Sequence, residues 1–409
     1  MKKVLPIFLG ILTAIGGFVD MGDLVANAAV GARFGMSLAW VVVVGIVGIC
    51  VFADMSGRVA AVTGRAVFDL VRERLGPRVA AINLAASFFI NVLTLIAEIC
   101  GVAIALSLLS SINYLLLVPA VAVLVWVVVW RLPFSWMEQI FGLLGLALVV
   151  FAVAVVKLGP DWGSLASAAT HPAVPSDETV WSYAYYGIAL FGAAMTPYEV
   201  FFFSSGAVEE RWTTRDLAIE RANVFIGFPL GGFLSLAIMT GAYLQFAPAG
   251  IEVDALSQVP LPVVFGLGKI GLSIALIGLF AATFGAALET SLSAGYTLSQ
   301  YFGWQWGKLV RPRDAARFHL VVLVSIAVAA LVGISGVDPV KVTEYSIVLS
   351  AAALPLTYLP ILVIANDPDY MGDQVNGRVR NALASVFLVV LVVVSISTIP
   401  LMIVTRAGT

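Results

Sequence analysis

Apolar segments of about 20 residues recur from one end of this 409-residue chain to the other. Each is long enough to cross the roughly 30 Å hydrocarbon core of a bilayer as a helix. About eleven can be delimited, near 5–33, 36–54, 79–109, 114–130, 137–157, 181–206, 218–246, 264–300, 317–335, 341–365 and 382–404. Only 11% of the residues are charged and 61% are hydrophobic, whereas a soluble domain carries about 25% charged residues. Mean hydropathy is +1.04. Such a chain must set apolar surface against lipid, so it reads as an all-α polytopic membrane protein, one transmembrane bundle over 1–409. The lipid bilayer is its first partner, and no basic run marks nucleic-acid binding. The opening "MKKVLPIFLGILTAIGGFVD" has two lysines and an apolar run but no small-x-small cleavage site, so it reads as the first span. Residues 158–180, rich in Pro and Ser, read as an exposed loop.

Lysine and arginine orient the spans, because they concentrate on the cytoplasmic side. Lys2 and Lys3 precede span 1, and Arg58, Arg65, Arg72, Arg74 and Arg78 lie between spans 2 and 3. Lys308, Arg311, Arg313 and Arg317 lie between spans 8 and 9, and Arg378 and Arg380 between spans 10 and 11. All fall on one side if the N-terminus is cytoplasmic; an odd number of spans then puts the C-terminus outside. The expected location is a plasma (inner) membrane.

Two segments are interrupted. Segment 1 carries "DMGD" at 20–23, and segment 6 carries "TPYE" at 196–199. Gly22 lowers helix stability and Pro197 removes a backbone donor, so each break has a local cause. An offset of five segments makes the second copy enter the membrane from the opposite side. Paired broken helices point to an inverted repeat with a binding site near the midplane. The expected architecture is a LeuT-type 5+5 inverted repeat with broken helices 1 and 6. Repeat one spans about 1–157, repeat two about 181–365, and an extra helix covers 382–404. The plainer alternative is a pair of ordinary kinks.

Acids at the breaks carry the chemistry. One ionised carboxylate at the bilayer centre costs roughly 3 kcal/mol on insertion scales. Asp20 and Asp23 are three residues apart and would share a helix face or a short turn, and Glu199 adds a third acid. A cation is the simplest partner, since a basic one is hard to find in the same segments. The alternative is that an acid is protonated or paired with a helix-end base. Oxygen-only ligation, with unwound carbonyls, suits Mg²⁺, Ca²⁺ or Mn²⁺.

At these residues the chain resembles the NRAMP family of divalent-metal transporters over nearly its whole length. The family's Asp-Pro-Gly-Asn break of helix 1 matches Asp20-Met21-Gly22-Asp23, and its Met-Pro-His break of helix 6 matches Thr196-Pro197-Tyr198. "GRVAAVTGRAVFDLVRERLG", "AEICGVAIALSLL" and "IANDPDYMG" resemble the family's cytoplasmic linker, span 3 and end of span 10. The resemblance implies an ion held by Asp20, Asp23, Thr196 and the carbonyl of Ala193; Glu199, read from the break itself, joins them as a further acid. Thr196 stands where the family has a Met thioether, and Asp23 where it has an amide. Both departures move the site from soft to hard, unless a one-residue shift returns the thioether of Met195. Thr is shorter than Met, so a roomier site would suit partly hydrated Mg²⁺. This resembles the NRAMP-related magnesium transporter branch, with Mn²⁺ also carried.

Proton coupling in that family uses a His in helix 6 and an acidic pair in helix 3. Here those positions are Tyr198, and Glu98 with Leu95. The expectation is therefore uncoupled, facilitated transport. His171 and His319 fall in a loop and at a span start, and read as surface or interfacial groups. Glu98 pairs with Arg131 or Lys157, or lines the path. Glu138 reads as a helix-start acid and Glu289 as a polar brace among small residues. Asp54 and Asp69 accompany the linker arginines as ion-pair partners. Cys50 and Cys100, both in apolar segments, read as packing residues.

The leading expectation is a carrier of a hard divalent cation by alternating access, with no cofactor; a monomer is compatible with the sequence. Alternatives are a proton-coupled Mn²⁺/Fe²⁺ importer and, in a different class, a sodium-coupled organic-solute symporter of the same fold. An enzyme is not expected, since neither a His-Glu-x-x-His motif nor a Ser/His nucleophile arrangement occurs.

Overall fold

A computed structural model describes residues 18–407 except 133 and 177, without the side chains of 134, 135, 138 and 139. The described chain is almost entirely helical, with no strand among the described residues. In a bilayer every backbone polar group must be satisfied within the protein, and a helix does so segment by segment. Among the described residues ten helices are long and apolar enough to cross a membrane. They match expected segments 2 to 11. Segment 1 lies partly outside the described residues; its described half is α1, Met21–Phe34.

The order continues with α2 (Ala39–Thr63), α3 (Val67–Leu75), α4 (Pro77–Ser110), α5 (Tyr114–Arg131), α6 (Phe134–Gly145), α7 (Val149–Leu158) and α8 (Trp162–Thr170). Segment 6 is split into α9 (Val180–Ala194) and α10 (Pro197–Glu209). Then come α11 (Leu217–Ala222), a π-turn (Asn223–Gly227), α12 (Phe228–Gln245), α13 (Leu261–Phe302), α14 (Ala316–Ile334), α15 (Pro339–Ala365), α16 (Pro368–Met371) and α17 (Arg378–Val404). The stretch 158–180 is thus not all loop. Asp161 caps α8 by accepting from the Gly163 N–H at 3.0 Å and from the Ser164 hydroxyl, which nucleates one short helix.

Two groups of helices pack among themselves. One comprises α1, α2, α9, α10 and α12; the other α4, α5, α13 and α14. Helix α15 touches both and α17 lies on its outer side. Small residues let the backbones approach. A Cβ on Gly31 of α1 would stand 2.1 Å from the Met239 carbonyl oxygen of α12, so only glycine fits that crossing. Helix α13 bends at Gly268, whose φ of +63° is open to glycine at no steric cost.

Ionic groups gather at the arginine-rich end. Arg65 pairs with Glu73 at 2.8 Å, and Arg74 pairs with Asp367 at the start of α16. Asp54 lies near Arg58, Arg221 and Arg380 at 3.6–3.7 Å. Asp69 makes no ion pair among the described residues. It faces Arg65 and Trp306, and burial pushes its carboxyl up to about 6. His171 is exposed beyond α8, and His319, in the first turn of α14, meets the Val310 carbonyl at 3.2 Å. Glu138 falls in the second turn of α6, and its side chain lies outside the described residues. Cys50 and Cys100 are buried free thiols; Cys50 donates to the Val224 carbonyl at 3.5 Å.

Lys308, between α13 and α14, is buried with its Nζ against the Met137 sulfur, and burial brings its ammonium down to about 8. A lysine whose folded pKa is lowered destabilises the fold while charged, and the penalty fades as pH rises from about 8 towards 10.5. Lys308→Met is therefore expected to stabilise the fold at pH 7 by no more than about 3 kcal/mol, seen as a higher melting temperature, and to change it little near pH 10.5. Gly31→Ala is expected to destabilise by about 1–3 kcal/mol through overpacking. Thermal melts of the detergent-solubilised chain read both effects.

Candidate functional site at the two helix breaks

Where α1 begins, its first backbone N–H groups have no partner within the helix. Asp20, in extended conformation, caps it: Oδ1 accepts from the Asp23 N–H at 2.8 Å. Glu98 reaches across from α4 and its Oε1 accepts from the Met21 N–H at 2.9 Å. Glu98 thus positions the break and pairs with neither Arg131, which stacks on Trp130, nor the exposed Lys157. Both acids sit at the positive end of a helix dipole, where negative charge is stabilised.

The second break has a matching cause. A helix carried through residue 197 would send that N–H to the carbonyl of Ala193, four residues back, and Pro197 has no N–H to send. Helix α9 therefore ends at Ala194, and α10 restarts with Pro197 in its first turn. Thr196 is extended at the N-cap, and its hydroxyl does not cap α10. The start of α10 is joined to the first break by Tyr198, whose hydroxyl donates to Asp20 Oδ2 at 3.0 Å.

Between the breaks lies a cavity of about 10 Å³, room for roughly one water-sized particle. Asp20 and Thr196 line it, as does Gly22. The role of Gly22 is space: a Cβ there would lie 2.7 Å from Ile347 Cγ2 and 3.1 Å from Asp20 Oδ1. The remaining polar wall consists of hydroxyls, Thr94 from α4 and Thr343, Ser346 and Ser350 from α15. Thr94 and Ser346 are hydrogen-bonded to each other at 2.8 Å. These four were not singled out in the sequence. The i, i+3, i+7 spacing of Thr343, Ser346 and Ser350 in an apolar span is the signal that could have found three of them.

Other expected residues stand close by but face elsewhere. The Asp23 carboxylate accepts from Asn27 Nδ2 at 2.8 Å and from the Ser235 hydroxyl of α12, and it does not line the cavity. Met195 is fully buried and its thioether lies against α2, where a Cβ on Gly48 would meet the sulfur at 2.6 Å. Its carbonyl accepts from the Tyr358 hydroxyl at 3.2 Å. Glu199 is buried, and so is Glu289 of α13, which neighbours it. Ala193 is buried at the end of α9. What converges on the cavity is one carboxylate and a set of hydroxyls, a hard oxygen environment with no sulfur.

Ser235→Ala would remove the donor to Asp23 and leave a buried carboxylate oxygen unsatisfied. A loss of about 1–3 kcal/mol is expected, read as a lower melting temperature, with Ser235→Thr close to wild type.

A family model described as natural resistance-associated macrophage protein-like matches residues 10–400. A divalent metal cation transporter, MntH, of Pectobacterium carotovorum subsp. carotovorum (strain PC1) is 28% identical over 394 residues, which cover 93% of this chain and 90% of the relative. Among solved structures, the manganese transporter of Eremococcus coleocola superposes with a TM-score of 0.71 at 21% identity, covering 98% of this chain and 88% of that one. MHP1, a nucleobase-cation-symport-1 family transporter, superposes with a TM-score of 0.62 at 16% identity, covering 97% and 91%. The fold is thus the LeuT type expected from the paired breaks, and the family match over nearly the whole length makes this chain a member of the Nramp family.

Proposed function

We propose that the chain is a secondary transporter of a hard divalent cation, Mg²⁺ first and Mn²⁺ second, working by alternating access without proton coupling. Its family comprises transporters, not enzymes, and its curated relative is a divalent metal cation transporter. The observation that carries the choice of ion is the cavity wall. Asp20, Thr196 and the hydroxyls of Thr94, Ser346 and Ser350 offer oxygen, while the Met195 sulfur is turned onto α2. In this reading Asp20, Thr196 and the Ala193 carbonyl hold the ion. Asp23 and Glu199 add negative charge from behind, Pro197, Tyr198 and Glu98 shape the breaks, and Gly22 leaves room for the ion. Hydroxyls suit an ion that sheds water reluctantly, since they can accept from or donate to what remains of its shell.

The chain would sit in the plasma membrane with its N-terminus cytoplasmic and its C-terminus outside, as two inverted repeats, about 1–157 and 181–365, plus helix 382–404. A doubly charged ion gains about 4.6 kcal/mol on moving inward down 100 mV, so uptake needs no proton. A solute-sized organic substrate finds little support in a cavity of about 10 Å³. Proton-coupled Mn²⁺/Fe²⁺ import is the second reading, and one observation favours it. Two buried acids, Glu199 and Glu289, stand at the second break, and in this reading they carry the proton, since the family's His is Tyr198 here.

Reconstitution in liposomes, with Mg²⁺ and Mn²⁺ flux measured alongside internal pH, separates the two. Mg²⁺ flux without acidification is expected; Mn²⁺ flux with acidification and no Mg²⁺ flux would select the second reading. Asp20→Ala should abolish flux, and Thr196→Met with Asp23→Asn should shift preference towards Mn²⁺. Unchanged selectivity in that double variant would place the ion elsewhere.

A further inference from the structure

At the arginine-rich end, below the breaks, a second polar cluster is buried between helices. Arg58 of α2 is completely buried and donates to the Gln374 carbonyl and to Asn376 Oδ1, in the segment between α16 and α17. Asn376 continues to Asn381 at 3.0 Å, and Asn381 to Asn366. Asp54, one turn before Arg58, gathers Arg58, Arg221 of α11 and Arg380 of α17 at 3.6–3.7 Å. These are charge contacts rather than hydrogen bonds, since Asp54 Oδ1 and Arg58 Nε have no hydrogen-bond partner. The cluster pins the 366–381 segment onto α2 and α11.

One member is left over. Glu220 of α11 is completely buried, and neither of its carboxylate oxygens has a hydrogen-bond partner. No described base lies within ion-pair distance of it, although the charges of Arg221, Arg58 and Arg380 act on it. Its Oε1 lies 3.1 Å from where a Cβ on Gly57 would stand, beside the backbone of Arg58. A buried carboxylate without a partner is costly, and it is accounted for if another arrangement of the same groups satisfies it. The means of rearrangement is adjacent. Helix α11 joins α12 through the π-turn Asn223–Gly227, a feature that often marks functional sites in helices. The Val224 carbonyl in that turn is met by the Cys50 thiol of α2. Meanwhile Ser56 ties α2 to α10 through the Val200 carbonyl at 2.6 Å, so α2 and the inner half of segment 6 are linked.

We infer that Asp54, Arg58 and Glu220 form the inner gate of the transport path: Arg58 holds the 366–381 segment shut, and transfers to Glu220 when the gate opens. The inference rests on the transporter reading above. These are positioning residues, since none lines the cavity that would hold the ion.

The two Gln variants give opposite signs, which a merely structural role would not. Hydrogen exchange of the full chain in lipid nanodiscs reads the gate, and calorimetric titration with Mn²⁺ reads the ion site. Arg58→Gln loses the closing contacts, so exchange in 366–381 is expected to quicken at least roughly tenfold, as a broken buried pair is costly. Glu220→Gln removes the partner of the open arrangement, so the same segment should exchange more slowly and Mn²⁺ flux should fall several-fold. Mn²⁺ affinity should stay unchanged in both. Asn376→Ala, a milder change on the closing side, should follow Arg58→Gln and serves if that variant does not fold. Faster exchange in both Gln variants, or no change in either, would overturn the gate. A wild type that shows these exchange signs on mutation yet moves no divalent ion would overturn the transporter reading alone.

Discussion

The bond from the Met21 N–H to Glu98 and the cap that Asp20 places on Asp23 satisfy the start of α1, deep among the packed helices. A chain end of this kind exposes backbone donors where no water is available, and each unsatisfied group costs several kcal/mol. Two acids resolve that, and in doing so they bring two carboxyl groups to the same helix start. The second break has the reverse polarity: Pro197 withholds a donor, so carbonyl oxygen is left over. The proposed cation site draws on both, and Tyr198 joins the two halves through Asp20. The site follows from how the breaks are satisfied, not from residues added to an intact bundle.

Much of this could be read from the linear chain because its causes are local. Apolar length gave the spans, and the ten crossing helices fall where hydropathy puts them. Pro197 and the acids at 20 and 23 marked the breaks, and Asp54 among arginines marked the charged end. What could not be read depends on the direction of side chains across space. Asp23 looked equivalent to Asp20, yet Ser235, more than two hundred residues away, draws its carboxylate towards α12. Glu98 could have paired with a base or lined the path, and it serves the backbone at Met21. The hydroxyl wall of α15 was written in a helical spacing, but in a span 27 residues long nothing local says which face meets the site. A nine-residue helix within a Pro/Ser-rich stretch, capped by Asp161, was hidden by composition.

Charge is distributed along the bundle with a clear division of labour. At the breaks, Asp20, Asp23 and Glu98 meet hydrogen-bond donors rather than bases, as the proposed cation site requires. At the arginine-rich end, acids find guanidinium groups, which join α2, α11 and α17. A strong pair near the cavity would compete with an ion for Asp20, whereas pairs remote from it can link helices without that conflict.

The slot at Gly48 has one more consequence. The Met195 sulfur occupies the volume that a methyl group on α2 would claim. The wall of the cavity is therefore free of sulfur partly because a helix that never touches the cavity lacks a side chain at one position. The chemistry that such a cavity presents can therefore drift through packing alone, by filling or emptying a space one carbon wide, while every residue that lines it stays the same.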